Sequence, residues 1–273
     1  MSPKKVLTVA GSDCSGGAGI QADLKTFQER DVYGMVAVTC LVAMVPENWH
    51  HIVTPVDTDM IEKQFKAVAN GIGVEAVKTG MLPTVEIIKL TGELLKEAKI
   101  PKVVIDPVMV CKGAGQPLFP ENTKAMIDYL LPLADIVTPN TFEAEQLAGM
   151  DEFKSEDDLL VAAKKIHALG AKNVVIKAAR IFDNKTVDLF YDGKNASWLS
   201  GDKVNTTWTH GAGCSFSACI TAELAKGKSA EEAVEMAREF VRCGLEHSFP
   251  LNQFVGPIYH KALAKFNPVV AGK

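Results

Sequence analysis

Residues 6–45 read VLTVAGSDCSGGAGIQADLKTFQERDVYGMVAVTCLVAMV, and this stretch decides the fold. The apolar residues 6–10 form a strand, and the glycines and small polar residues of 11–19 turn the chain. Residues 19–30 space their apolar side chains as a helix does, and 35–45 is a second, valine-rich strand. Strand, turn, helix and strand make the unit of a parallel sheet, because a parallel neighbour needs a long crossover. Working outward, the alternation persists. Strands are expected at 76–78, 103–106, 135–138, 173–177 and 186–191, and helices at 58–70, 84–99, 122–131, 141–147, 156–169, 212–226 and 230–247. The strand at 186–191 runs into Asp192-Gly193 and then 195–199, a hairpin pattern that gives the sheet an antiparallel edge. There is no repeat, low-complexity tract or linker. Residues 1–273 are therefore expected to form one three-layer α/β/α domain, a mostly parallel sheet with helices on both faces.

Composition sets limits on function. The chain is 47% hydrophobic and 23% charged, enough for a large core, and its net charge of −4 gives no reason to expect nucleic acid as a partner. No apolar run reaches the ~18–20 residues of a membrane span, and the first residues lead into a strand without a signal-type segment. A cytoplasmic setting without a membrane partner is expected. Six cysteines are scattered without C-x-x-C spacing, which argues against a disulfide framework or a structural zinc centre. Cys40 and Cys219 lie in apolar stretches and read as core residues, whereas Cys14, Cys111 and Cys214 stand beside glycine-rich segments.

Four segments can carry chemistry. In the first, Gly17, Gly19 and Ala22 satisfy G-x-G-x-x-G/A, and Glu47 stands where a ribose-binding acid would. A nucleotide-dependent oxidoreductase is thus one reading, and a plain strand-to-helix loop is another. Asp23, a turn later, serves either the helix dipole or a pocket. In the second, Asp106 ends a strand, where open α/β sheets place ligands, and Lys112-Gly113-Ala114-Gly115 beyond it suits a lid. In the third, Asn140 and Glu143 form a capping-box pair, with Glu143 also able to orient a water on Mg²⁺. In the fourth, Thr209-His210-Gly211-Ala212-Gly213-Cys214 opens a helix whose amides would converge on an anion such as a transferring phosphoryl group. Cys214 in that first turn is expected to have a lowered pKa and to act as nucleophile or base. No P-loop, H-E-x-x-H or G-x-S-x-G is present.

In their order along the chain, these segments resemble the ribokinase-like superfamily. Within it they resemble the hydroxymethylpyrimidine/phosphomethylpyrimidine kinases and their pyridoxal-kinase relatives. The matching residues are Ala10-Gly11-Ser12-Asp13, the run from Gly16 to Thr26, Lys78-Thr79-Gly80-Met81-Leu82, Asp106-Pro107-Val108-Met109, Thr138-Pro139-Asn140 and the segment ending in Cys214. Cys111, and Met44 where the pyrimidine branch has a glutamine, resemble the dual-cysteine pyridoxal kinases, as does the run from Ser248 to Gln253. A thioether cannot replace the two-way hydrogen bonding of an amide.

The resemblance implies an ATP- and Mg²⁺-dependent kinase acting on pyridoxal in vitamin B6 salvage, or on hydroxymethylpyrimidine in thiamine biosynthesis. It implies Gly11, Asp23, Met44, His51 and Met81 around the substrate. Asn140, Glu143, Lys177, Asp188, Gly213 and Lys226 would contact ATP or its metal shell, Glu143 through a water. Gly211, Ala212 and Gly213 would form the anion hole beside Cys214, with Cys111 brought in from the lid. It also implies a homodimer. Lys177-Ala178-Ala179-Arg180 departs from the family's Lys-Gly-Gly, an altered nucleotide-side loop that also admits a binding protein without catalysis.

Overall fold

In chain order the elements are β1 (Lys4–Asp13), α1 (Gly19–Glu29), β2 (Val32–Met44), β3 (His51–Pro55), α2 (Thr58–Ala69), β4 (Ala76–Thr79), α3 (Val85–Ala98), β5 (Lys102–Ile105), α4 (Pro120–Tyr129), β6 (Ile136–Val137), α5 (Thr141–Ala148), α6 (Glu156–Ala168), β7 (Val174–Lys177), β8 (Lys185–Tyr191), β9 (Ala196–Asp202), α7 (Ala212–Ala225), α8 (Ala230–Glu246), α9 (Ala262–Phe266) and α10 (Pro268–Ala271). They are drawn from a computed structural model that describes residues 2–109, 120–177 and 185–272. The strands form one sheet in the order β3-β2-β1-β4-β5-β6-β7-β8-β9. From β2 across to β7 neighbours are parallel. The hairpin β8–β9 makes the expected antiparallel edge, and β8 is itself antiparallel to β7. The opposite edge is antiparallel too, since β3 folds back on β2 and pairs Met44 with His51. That strand was not expected from the sequence, and neither were α9 and α10.

Strand alternation divides the core between the two faces. Leu7, Val9, Val103, Ile105, Val174 and Ile176 pack under α2 to α6. Their neighbours Val104 and Val175 point the other way, against Phe216, Ile220 and Phe240 of α7 and α8. Val6 and Ala76 complete that second face with Phe27 of α1 and Ala218 of α7. Helix ends follow local chemistry. Asn140, Ser155 and Ser229 each close a capping box with the acid three residues on. Gly149 ends α5 at φ 58°, a left-handed residue that suits glycine.

This topology fixes where a ligand can sit. From β1 the chain winds outward to β2, and later crosses to β4 on the other side of β1. The switch point lies between β1 and β4, and ligands bind outside the carboxyl ends of strands there.

Candidate active site

Two glycine-bearing loops meet above the carboxyl end of β1. The first is organised by Asp13. Its carboxylate accepts hydrogen bonds from Ser15 N (2.8 Å), Ser15 Oγ (2.9 Å) and Ala18 N (2.9 Å), and its Oδ2 lies 2.7 Å from His210 Nε2. Burial opposes its charge, but His210 and Ser15 outweigh burial and hold the Asp13 carboxyl down at about 2. The loop amides are thus turned onto Asp13 and are not presented to a pyrophosphate, and Glu47 is exposed beyond the end of β2. This geometry does not suit the dinucleotide reading. The second loop crosses at Gly211, whose φ of 78° suits glycine and whose added Cβ would collide with the Gly17 carbonyl. His210 is also fixed from behind, donating its backbone N–H to Gly256 O (3.1 Å) and accepting from Ile258 N (3.2 Å).

α7 starts at this crossing, with Gly211 as N-cap and no side-chain cap on its first amides. Those amides and the helix dipole face a cavity of about 420 Å³. Gly11, Met44, His51 and Met81 line it together with Gly211, Ala212, Gly213 and Cys214. At its far end stand Asp106, Asn140, Glu143 and Lys177. Beyond Lys177 and Gly213 it continues into a larger cleft of about 1140 Å³ that Asp188 and Arg238 also line. Lys177, Thr209, Ala212 and Gly213 border both spaces.

The junction is densely charged. Asp106 accepts from Ser217 Oγ (3.0 Å) and Thr138 Oγ1 (3.3 Å), with Lys177 Nζ at 3.8 Å. Lys177 Nζ also lies 5.8 Å from the Phe216 ring centroid. Burial pushes Glu143 up to about 7; Lys177 opposes this and Asp106 adds to it. The capping box predicted for Asn140 and Glu143 is present, through Asn140 N to Glu143 Oε2 (2.8 Å) and Glu143 N to Asn140 Oδ1 (3.0 Å). Asp188 pairs with Arg238 at 2.8 Å, beside Lys177 across the β7–β8 register.

Three expectations need correction. Asp23 does not line the cavity. It is wholly buried beneath it, bonded by Lys78 Nζ (2.9 and 3.0 Å) and Thr8 Oγ1 (2.6 Å). Lys226 does not line the larger cleft. It follows the last turn of α7, about 20 Å along the axis from Gly213, and pairs with Glu223 at 2.7 Å. The Cys214 thiol is not acidified. Burial pushes it up to about 12, with Asp23 and Asp106 adding to the effect, and Lys78 and the Gly19 amide do not overcome this. Cys111 with its lid, and Ala178, Ala179 and Arg180, lie outside the described residues.

The site also holds residues that the sequence reading did not assign. Asp13 is one; the signal was an acid two residues after Gly11, the glycine that ends the β1 apolar run. Lys78 is the other, a cavity-lining ammonium with no exposed surface. Burial works against its charge, but Asp23 first and Asp106 with it outweigh burial and hold Lys78 above the usual lysine range.

The chain matches relatives over nearly its whole length. The phosphomethylpyrimidine kinase family model matches residues 13–259. A pyridoxine kinase of Bacillus subtilis is 57% identical over 265 residues, 96% of this chain and 98% of the relative. A hydroxymethylpyrimidine/phosphomethylpyrimidine kinase of the same organism is 40% identical over 266 residues, 97% of each chain. The solved structure of pyridoxal kinase from Staphylococcus aureus, in complex with AMP-PCP and pyridoxal, superposes with a TM-score of 0.91 at 48% identity, covering 97% of this chain and 96% of that one. With its sheet order and strand-end cavity, the chain belongs to the phosphomethylpyrimidine kinase family of ribokinase-like fold.

Proposed function

We propose that the chain is an ATP-dependent kinase that phosphorylates the hydroxymethyl group of pyridoxal and related vitamin B6 forms. One observation carries the reading: a cavity sized for a flat heteroaromatic alcohol, holding the Cys214 thiol and the Met44 thioether, joins a nucleotide-sized cleft at Lys177 and Gly213. The pyridoxine kinase relative at 57% identity supports the same substrate class, as does the pyridoxal complex of the Staphylococcus aureus enzyme.

Phosphoryl transfer asks mainly for positioning and charge stabilisation. Lys177 would meet the phosphate tail, and the amides of Gly211, Ala212 and Gly213 would hold charge on the transferring group. Asp188, which lines the larger cleft, and Asn140, at the far end of the smaller cavity, would both contact the nucleotide. The buried carboxylates of Asp106 and Glu143 are hard oxygen donors that fit Mg²⁺. Glu143 accepts from Asn140 N in its capping box and also from the Met109 backbone, so it would hold the ion through a water. Bound there, the ion would supply neutralisation of phosphate charge.

Burial keeps Cys214 a neutral thiol in the resting pocket. The thiolate is the nucleophile, so addition to the pyridoxal aldehyde requires the S–H bond to break as the C–S bond forms; the carbonyl π pair moves to oxygen, and that oxygen takes the proton the sulfur gives up. The alcohol proton then needs another acceptor, the role given to Cys111. Replacing Cys214 or Cys111 singly by alanine is expected to cut turnover of pyridoxal at least tenfold in each case. Wild-type rates in both variants would rule this mechanism out.

The second reading, a hydroxymethylpyrimidine kinase, is favoured by the relative at 40% identity. Met44 separates the two. kcat/KM is expected to be higher for pyridoxal than for the pyrimidine, and Met44→Gln should raise the pyrimidine value about tenfold, the worth of one regained hydrogen bond. A wild-type preference for the pyrimidine would reverse the assignment. A homodimer belongs to the same proposal, supported by Leu41 and Ile52, which are exposed at the β2–β3 edge. A cytoplasmic setting belongs to the same proposal. Among the described residues no helix is long and apolar enough to cross a membrane.

A further inference from the structure

Among the described residues, Cys243, Glu246 and His247 bring a sulfur, a carboxylate oxygen and an imidazole nitrogen within 4.8 Å of one another. Their spacing of three and four residues sets them on one flank at the end of α8. None of the three lines the substrate cavity or the nucleotide cleft. Each is already held in place. Cys243 is buried in the core that Phe240 and Leu263 share. The His247 ring stacks on Phe266 with centroids 3.8 Å apart and planes 18° from parallel. Arg242 holds the Glu246 carboxylate. Packing fixes Cys243 outright and the helix sets the Cα positions of all three, so the ordering cost is met in part before any ligand arrives; Glu246 and His247 still turn from their present contacts to reach it. The cluster also lies at the C-terminus of a 17-residue helix, where the carbonyl ends of the peptide dipoles favour a cation.

We propose that Cys243, Glu246 and His247 form a binding site for a thiophilic divalent cation, zinc foremost, with a remaining coordination position open to water. Zinc takes sulfur at about 2.3 Å and nitrogen or oxygen at about 2.0–2.2 Å, which sets tetrahedral ligands about 3.5 Å apart. The separations of up to 4.8 Å close by turning the Glu246 and His247 side chains about their own bonds, with Cys243 left where it is packed. A thiolate and an imidazole in the donor set select against magnesium and calcium. A carboxylate has two oxygens, so Arg242 can keep one and orient the group while the metal takes the other. On binding, the Cys243 S–H bond breaks, its electron pair is shared with the metal and the proton leaves to solvent. Affinity therefore rises with pH.

The position has a consequence for the pocket. Gly244, within the cluster, accepts a hydrogen bond from Tyr259 N (2.9 Å), and Phe249 N reaches Pro257 O (3.4 Å). The next residue back, Gly256, is the one that holds the His210 amide. A cation on the end of α8 would fasten the root of this segment, behind the second glycine loop.

The test uses the full chain without an affinity tag, stripped of metal and free of nucleotide, titrated with Co²⁺ as a spectroscopic probe. Wild type is expected to show near-ultraviolet thiolate-to-cobalt charge-transfer absorption that one equivalent of Zn²⁺ abolishes. Cys243→Ser should remove the band. His247→Ala, at the helix end and outside the core, should weaken cobalt binding at least tenfold while leaving the far-ultraviolet circular dichroism unchanged. Cys214→Ala should keep the band. A wild-type spectrum without the band, a band that survives Cys243→Ser, or one lost in Cys214→Ala overturns the site.

Discussion

Gly211→Ala is expected to lower kcat by about 10²–10³-fold, the loss typical of removing one preorganised anion-hole donor. Two effects combine. The left-handed φ of 78° costs an alanine about 1–3 kcal/mol on its own. The added Cβ would also meet the Gly17 carbonyl, so the two loops must part and the first amides of α7 lose their aim. Gly149→Ala separates the effects. Gly149 also has a left-handed φ, 58°, but an added Cβ there meets nothing within 4 Å. That variant should lose stability of about 1–2 kcal/mol and keep its activity. If Gly211→Ala retains kcat within about threefold of wild type, contact between the loops is not what positions the amides.

Lys78→Met should cost about 3–5 kcal/mol in urea unfolding, because it strands the Asp23 carboxylate in a site with no exposed surface. The double variant Asp23→Leu/Lys78→Met should recover most of that loss, since an apolar pair leaves no uncompensated charge. In the single variant Asp23 has a folded pKa well above its unfolded value. A raised carboxyl is most favourable when protonated, so this variant should gain stability as pH falls from about 7 toward about 4. Equal stability of the single and double variants, or no gain on acidification, would show that Thr8 alone suffices to hold Asp23.

Much of this architecture could be read from the chain because one pattern repeats. The β-α alternation and the hairpin at Asp192-Gly193 are local signals, and the glycine segments announce themselves by composition. β3 escaped because an edge strand of five residues, with Ile52 exposed, carries too little apolar alternation to register. The candidate site was legible where the cavity meets strand ends and helix starts, as at Asp106 and Gly213. It failed where the answer depends on what lies overhead. Asp23 occupies a first-turn position that could face a pocket, and only the packing of Lys78 shows that it faces inward. Cys214 sits where a helix dipole would acidify a thiol, but the neighbouring Asp23, Asp106 and buried surroundings come from distant parts of the chain. The Asp13–His210 pair spans 197 residues and has no sequence signature at all.

That span has a meaning for the chain as it is made. β1, the strand at the heart of the sheet, leaves the ribosome about 200 residues before α7, which covers its second face, and His210, which closes its loop. At ordinary synthesis rates the interval is about 10–40 s. As each emerges, Val6, then Val104, then Val175 lacks its partner in Ala218, Phe216 or Ile220 until α7 is made, so the nascent chain carries a growing bare valine-rich surface. The substrate cavity cannot exist before that surface is covered, and a chain stalled before α7 is a client for chaperones rather than a slow enzyme.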